Sequence, residues 1–125
     1  GFYQDPYSDF GRLAMELWRA CRLVVDTGIH AKKWSRQKGI EYLKENTPSA
    51  DLEIQKAVER YFVMPGQATS YKIGMNKILD LRESAKKKLG EKFDIREFHD
   101  AVLAAGALPL PLLEKRVDQW VNQKM

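Results

Sequence analysis

Apolar residues return at helical spacing through most of the chain, and nowhere do they alternate long enough to suggest a strand. Leu13, Leu17, Ala20, Cys21, Val24 and Val25 share one face, which predicts a first helix from about Ser8 or Asp9 to Asp26. Gly28 reads as its stop, being free to take positive φ. Ser35 is placed to cap a short second helix, RQKGIEYLKEN, with Ile40 and Leu43 turned inward. A turn, NTPSADLE, leads to a third helix over about residues 50–63 with Ser49 as N-cap. That helix ends before Pro65, because the residue preceding a proline resists the helical region. Gln67 to Leu89 reads as a long fourth helix stopped by Gly90, and Lys86, Lys87 and Lys88 in its last turn complement the helix dipole. Asp94 and Glu97 form a capping box for a fifth helix, which Gly106 ends. Pro111 suits the first turn of a sixth, with Leu112, Leu113, Val117, Trp120 and Val121 facing inward. The pattern predicts a single all-α domain over residues 1–125, a compact bundle of about six helices whose short connections favour antiparallel neighbours. It contains no internal repeat and no domain boundary.

Composition narrows the function classes more than the fold. A chain of 125 residues, 44% hydrophobic and 30% charged, can bury one real core. Its longest apolar stretch, AVLAAGALPLPLL, is broken by Gly106, Pro109 and Pro111, and falls short of the ~20 residues that span a bilayer. The 21 basic and 17 acidic residues are interleaved, so the net charge of +4 describes a solvated surface rather than the one-sided basic face of a nucleic-acid binder. One cysteine, Cys21, excludes an internal disulfide and a Cys-rich zinc site, and its apolar surroundings predict a buried thiol. The opening GFYQDPYSDF has neither an initiator Met nor a leader and reads as the start of a piece of a longer protein.

Candidate chemistry concentrates in two places. In RLVVDTGIHAKKWS, Asp26 sits at the expected helix end, where the macrodipole disfavours an acid, and His30 follows in what reads as a connection. Arg22 can meet Asp26 one turn on, though Arg before Asp is the weaker order; the bland alternative has Asp26 pairing there or capping amides, with His30 packed on Trp34. In MPGQATSYKIGMNKIL, Tyr71 shares a face with Met75, Ile78 and Arg82, which reads first as core. His99, mid-helix in REFHDAV, reads as structural. No metal-ligand spacing, catalytic triad or phosphate loop is present.

The blocks RLVVDTGIH, PGQATSYKIG and FDIREFHD carry more than their spacing. With their flanks they make nearly the whole chain similar to the C-terminal part of the bacterial domain-of-unknown-function 885 family. That family resembles gluzincin zinc metallopeptidases of the largely helical angiotensin-converting-enzyme and thimet-oligopeptidase type. The resemblance implies a zinc-binding segment, a His-Glu stretch running into Pro-Gly-His with a further Glu, in the part N-terminal to this one; no such segment occurs here. It implies that this chain supplies transition-state support, with His30 and Tyr71 as donors to an oxyanion. Asp26 would then orient the His30 ring, and Arg22 would steady Asp26 or meet a substrate carboxylate. It further implies zinc in the parent but none in this chain, the N-terminal catalytic part and a peptide as partners, an envelope location in bacteria, and no activity for the chain alone. The competing expectation is a helical interaction or assembly module without chemistry, associating, for instance as a homodimer, through an exposed apolar face.

Overall fold

A computed structural model describes residues 2–125. Among them are six α-helices, a short 3-10 turn at Gly90–Lys92, and no strand, so the fold is all-α. The helices are α1 (Pro6–Lys32), α2 (Arg36–Asn46), α3 (Asp51–Val63), α4 (Gln67–Leu89), α5 (Ile95–Leu103) and α6 (Leu110–Lys124). Among the described residues, no helix is long and apolar enough to cross a membrane.

The largest departure from the sequence pattern is α1. It begins two to three residues early, because Asp5 accepts hydrogen bonds from the Tyr7 and Ser8 amides at 3.4 and 2.8 Å. It also runs through Gly28 to Lys32, and the left-handed residue at its end is Lys33, with φ 55°. Gly28 is a packing residue, not a stop. A Cβ there would lie 2.5 Å from Trp34 Cδ2, and the Trp34 amide donates to the Gly28 carbonyl at 3.0 Å. The chain leaves α1 by doubling back over the one position that has no side chain. Smaller corrections follow the same logic. Ala50, not Ser49, occupies the N-cap of α3 and offers no side-chain bond. At α5, Asp94 is the N-cap as expected but receives the Arg96 amide, at 2.8 Å, rather than that of Glu97, and Glu97 reaches Lys124 instead of completing a box.

The chain divides into two compact units, residues 1–73 and 74–125. The first holds α1, α2, α3 and the opening turns of α4. Its core joins Cys21, Val25 and Ile29 of α1 to Ile40 and Leu43 of α2, Ile54, Val58 and Tyr61 of α3, and Ala68 of α4. Gly39 allows the close approach of α2: a Cβ there would sit 3.1 Å from Val25 and 3.3 Å from Val58. Leu13 and Leu17, expected inside, are about half exposed, because the helix's core partners begin only at Trp18. The second unit is built on Leu81, Ala85, Leu89, Phe98, Leu113, Val117 and Val121, with Phe93 and Trp120 ringed around Phe98. Leu112 is exposed rather than inward.

A buried carboxylate and a cationic, aromatic cavity

Because α1 continues past Gly28, Arg22, Asp26 and His30 fall at four-residue steps on one face of a single helix. Asp26 is 1% exposed, the only charged residue buried to that degree among the described residues. Its discomfort at a helix end vanishes once its partners are seen. One oxygen accepts from the Gly66 amide at 3.2 Å; the other accepts from the Thr69 amide at 3.0 Å and the Thr69 hydroxyl at 2.8 Å. Gly66 is the residue whose carbonyl receives the first bond of α4, from Ser70. It has φ +81° and no side chain with which to cap. Asp26 of α1 therefore caps α4 from another helix, placing its charge at the positive end of that dipole.

His30 lies on the last turn of α1, not in a connection. Its Nε2 is 2.8 Å from the Tyr61 carbonyl, which can only accept, so Nε2 carries the proton there. The same nitrogen is 3.6 Å from Asp26. The ring packs edge-on near Phe62, with centroids 6.5 Å apart, rather than on Trp34.

Arg22 does not pair with Asp26. Its Nη2 donates to Gln67 Oε1 at 2.9 Å, and its guanidinium lies 4.8 Å from the Tyr71 ring centroid and 5.7 Å from that of Tyr61. Arginine only donates, so the Gln67 carbonyl must face it and the Gln67 amide nitrogen must face Tyr71. That nitrogen donates to the Tyr71 hydroxyl at 3.2 Å. With its oxygen accepting, the Tyr71 O–H proton remains available to a further acceptor.

These groups line a cavity of about 310 Å³ bounded by Trp18, Arg22, Lys56, Arg60, Tyr61, Gln67 and Tyr71, with Glu53 as its one acid. Two of its lining residues each hold a polar atom that is buried without a hydrogen-bond partner, Arg22 Nε and Tyr61 Oη. Burial is the main reason the Tyr61 phenol is pushed up to about 12, partly offset by Arg22 and Arg60. It is a protonated donor at neutral pH. Of the residues singled out from sequence, Arg22 and Tyr71 reach this cavity; Asp26 and His30 instead hold the α3–α4 connection behind it, through Gly66, Thr69 and the Tyr61 carbonyl. Tyr61 and Gln67 were missed. Tyr61 reads as core from its spacing to Val58, whereas Gln67 was legible as the residue one turn before Tyr71. Among the described residues, no three His, Cys, Asp or Glu side chains converge as a metal site, so the residues present do not fit zinc.

A family model described as "Bacterial protein of unknown function (DUF885)" matches residues 1–117. Among solved structures, the chain is similar to a protein of Colwellia psychrerythraea described as a "putative lipoprotein", at 51% identity and a TM-score of 0.95. That match covers 98% of this chain and 21% of the other, so the chain spans about a fifth of the length of the structure it resembles. No curated protein matches the chain.

Proposed function

Since the chain belongs to the DUF885 family of bacterial proteins, we propose that it forms a substrate-facing wall of a metal-dependent peptidase in the intact protein. The observation that carries this reading is the Tyr71 phenol. Gln67 fixes its oxygen as an acceptor, Arg22 lies against its ring, and its proton is left to donate. A donor held in that way matches what acyl transfer to water requires, a hydrogen bond aimed where negative charge develops on the carbonyl oxygen. The metal and its ligands belong, on this reading, to the rest of the protein. Tyr71 would be the catalytic donor. His30 and Asp26 would be positioning residues, since His30 Nε2 is engaged by the Tyr61 carbonyl and Asp26 by the start of α4.

The test uses the full-length protein and internally quenched peptides. Tyr71→Phe, which removes only the donor, is expected to lower kcat by on the order of a hundredfold with little change in KM. An unaltered kcat removes Tyr71 from the chemistry, and a full-length protein that cleaves no peptide with zinc supplied removes the peptidase reading itself.

A further inference from the structure

Tyr71 can donate to a substrate only while its own proton is not already spent, and a neighbour outside the reacting groups decides that. Gln67 opens α4 and lies one turn before Tyr71 on the same face. Its backbone is held on both sides, since Asp26 accepts from the Gly66 and Thr69 amides. Its side chain is also held from α1, where Arg22 Nη2 donates to Gln67 Oε1 at 2.9 Å. Arg22 is in turn flanked by the Tyr71 and Tyr61 rings, 4.8 and 5.7 Å from its guanidinium, which keeps that donor in place. A guanidinium cannot accept, so the amide NH₂ of Gln67 is left facing the Tyr71 hydroxyl at 3.2 Å. The phenol oxygen accepts there, and its O–H must point elsewhere.

We propose that Gln67 is the positioning residue of this site: its amide, locked by Arg22, sets the direction of the Tyr71 hydrogen bond and keeps the phenol proton free for substrate. A carboxylate at the same place would invert that bond. It keeps the length of the side chain and the contact with Arg22, but it offers only acceptors. The phenol would then donate to it in a charge-assisted bond and have no proton left to give. As a statement about catalysis this rests on the peptidase reading. As a statement about hydrogen-bond direction it stands apart from that reading and is tested without turnover.

The full-length protein carries the test. Gln67→Glu is expected to lower kcat by about a hundredfold, as far as Tyr71→Phe does. Its Tm should stay at or above the parent's, because Arg22 gains a counter-charge, which separates a lost proton from a folding failure. Gln67→Met fills the space without capturing the phenol proton and should lose less kcat than Gln67→Glu. That ranking distinguishes the roles, since a purely structural Gln67 would tolerate Glu, which preserves the Arg22 contact, better than Met. In a Tyr71→Phe background, Gln67→Glu should lower kcat no further, whereas a general effect of added negative charge would persist there. Resonance Raman gives the readout without substrate, because the tyrosine Fermi doublet tells a phenol that accepts from one that donates. Taken as the difference from the matching Tyr71→Phe protein, it should pass from acceptor to donor on Gln67→Glu. An unchanged doublet, Gln67→Glu as active as Gln67→Met, or an equal kcat loss with and without the Tyr71 hydroxyl would each overturn the proposal. A doublet that inverts in a protein that cleaves no peptide, or whose kcat ignores Tyr71→Phe, would uphold the hydrogen-bond direction and reject only the peptidase reading of this wall.

Discussion

Replacing Asp26 with alanine removes one carboxylate and strands several partners. The Gly66 and Thr69 amides lose their acceptor, and the Thr69 hydroxyl loses a third bond to the same group. Hydrogen bonds to a charged acceptor contribute about 1.5–3 kcal/mol each, but three that share one group are not additive. Removing the favourable charge from the α4 N-terminus adds up to about 1–2 kcal/mol. We expect Asp26→Ala to destabilise the first unit by about 3–5 kcal/mol. Asp26→Asn keeps the shape and one accepting oxygen, yet turns an NH₂ toward donors, so it should cost about 2–3 kcal/mol. Thr69→Val, which deletes only the hydroxyl bond, should cost about 1 kcal/mol. Urea unfolding followed by tryptophan fluorescence reports on this unit through Trp18 and Trp34, both packed on its core. Asp26→Ala within about 1 kcal/mol of the parent, or Asp26→Asn indistinguishable from it, would refute the cap as the reason for this buried charge.

Gly28→Ala improves helix propensity by up to ~1 kcal/mol, but it puts a methyl against the Trp34 ring, 2.5 Å from Cδ2. The net result should be destabilisation by about 1–2 kcal/mol, with an altered Trp34 signal; stabilisation would return Gly28 to the role of a helix stop. Gly66→Ala forces a Cβ into φ +81° and should cost about 1–2 kcal/mol in thermal unfolding, although nothing crowds that position. The Tyr61 phenol is raised from 10.0 to about 12, so the folded state favours its neutral form. The stability it contributes is whole below pH 10 and is lost as pH climbs toward about 12, by on the order of 2–3 kcal/mol. Comparing parent and Tyr61→Phe denaturation between those pH values should show the parent losing more, and parallel curves would count against a buried phenol.

Most of the fold could be read from local rules. Helix α2 obeys its periodicity, α4 and α6 obey their punctuation although Tyr71, Ile78 and Leu112 are exposed rather than core, and Ser35 and Asp94 cap as their residue types predict. The errors share a cause, which is that local signals were read where a distant partner decides. Gly28 looks like a C-cap until Trp34 is folded onto it, and Asp26 looks misplaced until the start of α4 is brought to it from forty residues away. Placing His30 in a connection followed from stopping α1 too soon. For the site, the residue types at Arg22 and Tyr71 were legible, but their relation was not. It runs through Gln67, an uncharged amide whose orientation only the three-dimensional arrangement of Arg22 and Tyr71 fixes. Tyr61 was illegible for a different reason: its spacing marks it as core, and nothing in a pattern distinguishes a satisfied core hydroxyl from an orphan one.

The borrowed cap also couples two helices. The start of α4 closes its first turn through the backbone, Ser70 donating to the Gly66 carbonyl, but with no side chain at Gly66 it depends on Asp26 to receive the Gly66 and Thr69 amides. Nucleation of a helix is its least favourable step, so a cap lent by α1 ties the stability of the first turn of α4 to the second half of α1. Amide exchange at Gly66 and Thr69 reads that dependence directly, and it is expected to quicken in Asp26→Ala.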